Sequence, residues 1–324
     1  MVRRALCTTG ALPELVMRPG PNTMGAASLA ARNAGETENA LTARLASFAV
    51  DALVEEANLT PKPALVDRRG SGAHRDLDLA RMMRSAHALA PTFAALAQAS
   101  RTRRPSALLR TDLAAIGRAG EADMMAATGG SNTHRGAIWI VGLLVAGATI
   151  SHDALGTSDP QAVCGFGAQI ACFPDYAATA SDSNGSRVCE RYGIGGARRE
   201  AQEGFPHVLH AGLPALVAAR RRGYGENAAR IDALLAIMTT LDDTCLLHRA
   251  GMPALVAAKR GARAVLDAGG SASLPGRAAL YRLERELTAM NASPGGAADL
   301  LAATLFIDKL VRYGTGGRRT AWNI

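Results

Sequence analysis

Residues 136–150 read Gly-Ala-Ile-Trp-Ile-Val-Gly-Leu-Leu-Val-Ala-Gly-Ala-Thr-Ile and carry no charge. The segment opens after Asn132-Thr133 and is apolar on every side of a helical wheel. A helix of that kind belongs in the middle of a bundle. At 15 residues with three glycines, it falls short of the ~20 apolar residues that a membrane span requires. The rest of the chain has to supply amphipathic helices to surround it. Leu41, Leu45, Phe48, Ala52 and Leu53 recur at spacings of three and four. So do Met82, Ala86, Leu89, Phe93 and Leu96, with Pro91 as a kink, and Leu109, Leu113 and Ile116. Further helices are expected over about 206–222, 226–248, 252–266, 274–290 and 295–313, with a loop region and short helices over 151–204. No segment alternates for long in strand fashion, and aromatic residues make up only 4% of the chain. The expectation is an all-α, single-domain bundle of roughly ten helices over 40–314. It is flanked by a flexible N-terminal tail (1–39, with Met24 as an alternative start) and a C-terminal tail (315–324).

The five cysteines form no C-x-x-C pair. Neither a thiolate zinc site nor a disulfide framework is indicated, which fits a reducing, cytoplasmic location. Net charge is +8, almost all of it arginine. Either genomic composition or an anionic ligand explains this, since the guanidinium fork suits phosphate. Arginines are spread along the chain without interleaved aromatics, which argues against nucleic acid.

Five polar segments lie at expected helix ends. In the first, Glu56 continues an apolar stripe, and a carboxylate there needs a partner. Lys62 follows between Pro61 and Pro63, on stiff backbone. The second, Ser71–Asp78, puts Asp76 and Asp78 beside His74 and Arg75, as helix-dipole partners or as Mg²⁺ ligands. The third leads from Gly129-Gly130 through Asn132, Thr133, His134 and Arg135 into the apolar helix, an anion site in form. The fourth holds Asp242 and Asp243, with Asp242 on the stripe of Ile231, Leu235 and Met238. It reads as an inward carboxylate or as a buried ion pair with Arg249. The fifth, Ser293-Pro-Gly-Gly296, reads as a serine-capped helix start where a phosphate could approach, followed by an inward Asp299.

These segments carry T-P-K-P-x-L-V-D (Thr60–Asp67), S-G-A-H-x-D-x-D (Ser71–Asp78) and G-x-N-T-H-[KR]-G-A-I (Gly130–Ile138). They also carry Y-G-x-x-G-A-R-x-E-A-x-x-G-F-P (Tyr192–Pro206), D-T-x-x-L-H-R-x-G (Asp243–Gly251) and S-P-G-G-x-A-D-L-L (Ser293–Leu301). In this order the chain resembles the triphosphoribosyl-dephospho-CoA synthase family over about 40–313. It departs at Ala64, where the family usually has glycine, and at Cys245, where it usually has asparagine. The resemblance implies a pentosyltransferase. ATP and 3′-dephospho-CoA would give 2′-(5″-triphosphoribosyl)-3′-dephospho-CoA and adenine. That product is the prosthetic-group precursor for the acyl carrier subunit of malonate decarboxylase or citrate lyase, attached by a separate transferase. The free-standing chain is similar to the malonate decarboxylase version.

On that reading the reacting C1 gathers positive charge as adenine leaves. Glu56, Asp243 and Asp299 are the candidates to stabilise it and to accept the hydroxyl proton. Asp76 and Asp78 would hold Mg²⁺ with ATP. Lys62, His74 and Arg135 would meet phosphates, and Ser293, Gly295 and Gly296 a second phosphate group. Asp67, Asn132, Thr133, His134 and Arg249 complete the expected substrate contacts. A membrane partner is not expected, and a homo-oligomer is compatible with the sequence. Other classes are a nucleotide N-glycosidase using water and an arginine-rich helical binding protein. Buried carboxylates at Glu56, Asp242 and Asp299 would argue against the latter.

Overall fold

The computed structural model describes residues 21–177 and 183–315, the side chains of 21–38 excepted. The chain divides into two units, Met1–Ala40 and Leu41–Ile324. Residues 1–20 of the expected N-terminal tail and 316–324 of the C-terminal one lie outside the described residues.

Thirteen α-helices are present among the described residues, and no strand. The first, α1, runs Pro21–Asn58, so helical backbone begins earlier than Ala40. Residues 21–39 lack an apolar period but contain Ala26, Ala27, Ala30, Ala31 and Ala34, and alanine has the highest helix propensity. Helices α2 (Leu79–Ala88) and α3 (Ala90–Ser100) replace the single kinked helix expected there. Pro91 sits in the first turn of α3, where its missing N–H costs nothing. Next come α4 (Ala107–Thr128), α5 (Arg135–Leu155), α6 (Pro160–Cys172), α7 (Asn184–Tyr192) and α8 (Gly196–Gln202). A π-helical turn at Val208–Gly212 opens onto α9 (Leu213–Arg221). The bundle closes with α10 (Glu226–Met238), α11 (Thr244–Asp267), α12 (Leu274–Ala289) and α13 (Gly295–Tyr313).

Helix α5 is the central element. It packs against α3, α4, α6, α8 and α13. Ile138, Ile140, Val141, Leu143, Leu144, Val145 and Ile150 are all buried on it, each worth about 1.5–3 kcal/mol relative to exposure. A Cβ on Gly147 would lie 2.2 Å from the Val163 carbonyl oxygen, so glycine is what lets α6 cross this closely. By length and composition α5 is the one helix among the described residues able to cross a membrane, and most of it is buried inside the fold.

The expected helix over 226–248 is broken. Helix α10 stops at Met238 and α11 starts at Thr244. A stripe cannot be extended across such a break, and Asp242 is exposed, paired with Lys259 (2.6 Å). Asp243 is the buried member of the pair, at 2% exposure.

Candidate active site

One cavity of about 840 Å³ lies where helix ends converge. The last turn of α1, the segment joining α1 to α2 and the starts of α5, α7, α8, α11 and α13 all contribute to its wall. Every candidate site residue named from the sequence lines it except Asp67 and Asp78.

Those two carboxylates organise backbone instead. Asp67 is buried. It accepts from the backbone N–H of Lys62 (2.9 Å) and of Arg69 (2.7 Å) and pairs with the Arg69 guanidinium (2.7 Å), which also reaches Glu284 on α12. Asp78 is the N-cap of α2, accepting from the Arg81 N–H at 2.8 Å. Of the D-x-D pair Asp76 and Asp78, the second therefore spends one oxygen on the start of α2 and lies off the cavity wall. Asp76 of that pair lines the cavity, its side chain 65% exposed and its Oδ1 3.9 Å from His74 Nδ1.

Lys62 is buried. Its ammonium donates to the Glu56 carboxylate (2.5 Å) and to the Glu56 carbonyl (2.7 Å). The carboxylate on the apolar stripe of α1 thus has its partner six residues on, held by the Pro-Lys-Pro backbone. One of three ammonium hydrogens remains for a ligand. Breaking a buried pair of this kind from one side costs about 3–5 kcal/mol.

His134 is buried at the entry to α5. Thr133 Oγ1 donates to Ser85 Oγ (2.6 Å), and Ser85 Oγ lies 2.6 Å from His134 Nδ1. With Thr133 as donor, the Ser85 hydrogen is left for Nδ1, which puts the ring hydrogen on Nε2. Nε2 is buried and has no partner among the described residues. Burial, and then the nearby Lys62 charge, press the imidazole pKa down to about 3. It is a neutral N–H donor in a wall of the cavity. His74 is likewise held neutral, at about 4, by burial and then by Arg249. Its Nδ1 accepts from the Arg249 guanidinium at 2.9 Å.

Asp243 does not pair with Arg249. Its Oδ1 accepts from the N–H groups of Cys245 (2.8 Å), Leu246 (3.4 Å) and Gly296 (3.2 Å), and Oδ2 from Ala297 (2.9 Å). One carboxylate therefore caps α11 and, across the bundle, α13. This corrects two expectations. Ser293 is not the cap of α13, whose start makes no side-chain bond from its own N-cap. Nor is the helix start after Ser293 bare, since the N–H groups of Gly296 and Ala297 are taken. The glycines give Asp243 room: a Cβ on Gly296 would lie 3.0 Å from Oδ1. Arg249 instead reaches the carbonyls of Ala73 (3.2 Å) and Asn291 (3.5 Å), tying α11 to the His74 segment. Arg135 is exposed and pairs with Glu121, and its N–H donates to Asn132 Oδ1 (3.3 Å).

Asp299 comes from the first turns of α13 and lies over the start of α5. A Cβ on Gly136 would fall 1.9 Å from Asp299 Oδ2. Burial, then the charges of Glu56 and Asp243, raise its pKa well above the usual carboxylate range, with the Ala137 N–H opposing. The same surroundings keep the Cys245 thiol protonated. Lys62, Glu56, His134 and Asp299 thus share one cavity, and Asp299 brings to it a carboxyl whose pKa is raised.

Sequence reasoning missed the wall supplied by α7 and α8. Ser183, Asn184, Gly185, Gly196, Ala197 and Glu200 all line the cavity. Glu200 is buried and holds His207 (2.6 Å). The Tyr192–Pro206 motif contains it, and was the available signal.

A model of the ATP:dephospho-CoA triphosphoribosyl transferase family matches residues 42–317. A relative from Stutzerimonas stutzeri, named probable 2-(5″-triphosphoribosyl)-3′-dephosphocoenzyme-A synthase, is 56% identical over 82% of this chain and 91% of its own. Relatives of the same name from Pseudomonas syringae pv. tomato and Azotobacter vinelandii are each 55% identical, over 83% of this chain and 92% of theirs. No solved structure matches the chain. The motifs that line the cavity are those the family match spans, and the chain belongs to the ATP:dephospho-CoA triphosphoribosyl transferase family, as an enzyme of that class.

Proposed function

We propose that this cavity transfers the 5-triphosphoribosyl group of ATP to the ribose 2′-hydroxyl of 3′-dephospho-CoA. The C1–O bond forms as the C1–N9 bond to adenine breaks, and the proton lost by the hydroxyl balances the one adenine gains. The observation that carries this reading is the pairing of two different carboxyls in one cavity. Glu56 is ion-paired with Lys62, and Asp299 is raised in pKa by burial. Two carboxyl groups whose surroundings differ can divide the work. Glu56 faces the positive charge developing at C1, and Asp299 takes the hydroxyl proton. Asp243, its oxygens spent on helix starts, positions the α13 turn that carries Asp299. His134 Nε2–H offers a hydrogen bond to the departing purine ring.

The triphosphate brings Mg²⁺ with it. Asp76 would hold the ion as a single hard oxygen ligand, the rest of its shell coming from phosphate and water. His74, Arg135 and Arg249 line the same cavity and would supply donors to the phosphates. The similarity to the free-standing malonate decarboxylase version supports that enzyme's acyl carrier subunit as the destination, through a separate transferase. Cys164, Cys172, Cys189 and Cys245 are all unpaired, which supports a reducing cytoplasm.

The test is incubation with ATP, Mg²⁺ and dephospho-CoA, following free adenine by chromatography. Adenine should appear only when dephospho-CoA is present, and Asp299→Asn should release at least about a thousandfold less. Adenine release without acceptor would instead identify an N-glycosidase. Unchanged turnover in Asp299→Asn would remove it from the mechanism.

A further inference from the structure

A second cavity, of about 250 Å³, lies between α3, α4 and α5. It shares Arg135 and Trp139 with the larger one. Its aliphatic wall is Leu96, Leu113, Ile138 and Leu143. Its polar rim is cationic but unevenly matched. Arg118 pairs with Asp175 (2.7 Å), and Arg135 with Glu121. Arg110 has no carboxylate partner within ion-pair distance among the described residues. Its guanidinium lies 4.7 Å over the Trp139 ring, and its Nε is buried with no hydrogen-bond acceptor. A buried donor of this kind is normally satisfied, and the residue that carries it lines the cavity.

We propose that this pocket seats the pyrophosphate–pantetheine arm of dephospho-CoA, with Arg110 meeting the phosphate and the aliphatic wall holding the arm. The assignment rests on the proposed reaction. The acceptor hydroxyl must sit in the large cavity, and the rest of a long acceptor must leave by a neighbouring compartment. The shared Arg135 and Trp139 mark where the two adjoin. An adenine ring fits the pocket less well. It carries no anion for Arg110, and the guanidinium already covers a face of the indole. ATP has an anionic tail but no apolar arm to cover four aliphatic side chains.

Gly117 gives a direct test. It lines the pocket, and a Cβ added there would make an ordinary 3.7 Å contact with Ile138, so the first carbon of Gly117→Leu is accommodated and the remaining three compete with an occupant for the space. Isothermal titration of the full chain with 4′-phosphopantetheine, and separately with adenosine, reads the pocket without turnover. We expect 4′-phosphopantetheine to bind the unsubstituted chain. Gly117→Leu should weaken it about tenfold or more, and Arg110→Met about fivefold, with adenosine affinity unchanged. In steady state, Gly117→Leu should raise the KM for dephospho-CoA about tenfold and leave that for ATP within about twofold. Absence of 4′-phosphopantetheine binding, equal binding by Gly117→Leu, or loss of adenosine binding instead would each overturn the assignment. Failure of the unsubstituted chain to release adenine would defeat the proposed reaction, while the titrations would still decide the pocket's occupant.

Discussion

Replacing Asp243 by alanine removes one carboxylate from two helix starts at once. Four backbone N–H groups, those of Cys245, Leu246, Gly296 and Ala297, lose their acceptor. Each lost cap costs about 1–2 kcal/mol, so two together cost about 2–4 kcal/mol. Burial penalises the ionised carboxylate, as its raised pKa records. Its removal returns part of that cost and leaves an expected net loss of ~2–3 kcal/mol. For a domain of this size the melting temperature should fall by about 5–10 °C. Asp243→Asn keeps one oxygen for the three bonds made by Oδ1 and turns an amide NH₂ toward the Ala297 N–H. It should lose about 1–2 kcal/mol and keep turnover within about tenfold. The assay is a thermal melt beside an adenine-release measurement on the same preparations. If Asp243→Ala melts with the unsubstituted chain, the shared cap is not a structural pin. If Asp243→Asn is inactive at full stability, the carboxylate takes part in the chemistry after all.

Ala64 is fully buried and adopts φ +57°, a left-handed conformation that costs a non-glycine residue about 1–2 kcal/mol. Glycine gives back about 0.5–1 kcal/mol through unfolded-chain entropy, so Ala64→Gly should stabilise by about 0.5–1 kcal/mol; a lower melting temperature would contradict this. Gly136→Ala puts a methyl 1.9 Å from Asp299 Oδ2. It should cut kcat about tenfold or more with helix content unchanged, and full activity would show that Asp299 need not lie against α5. The raised pKa of Asp299 makes the native state bind its proton more tightly than the unfolded chain does. Stability from this group is therefore greatest below the unfolded value near 3.9 and falls as pH rises toward the native value. Asp299→Asn should melt above the unsubstituted chain at neutral pH and converge with it near pH 4; an equal or lower melt at pH 7 would refute the sign.

The all-α class and the central helix could be read from the sequence because a charge-free run such as 136–150 has few stable homes in water. Glu56 and Lys62 could each be singled out, though not as each other's partner. Their bond depends on how the Pro-Lys-Pro segment turns back, and periodicity says nothing of that. Asp242 was misplaced because a stripe is meaningful only while the helix continues, and α10 ends at Met238. Asp67 and Asp78 show the limit of motifs. Residues that shape a binding loop recur in a motif as strictly as those that touch the ligand. The α7–α8 wall was missed for a related reason: Gly196 and Glu200 acquire a role only through what stands opposite them.

The cavity's parts come from far along the polypeptide, Glu56 near one end and Asp299 near the other, and the clasp made by Asp243 joins two of the last three helices to form. The carboxyl of α13 stands against the start of α5, so the proposed pair of carboxyls exists only with that helix in place. On the proposed reaction, a copy lacking it would hold Glu56 and Lys62 and still leave ATP whole.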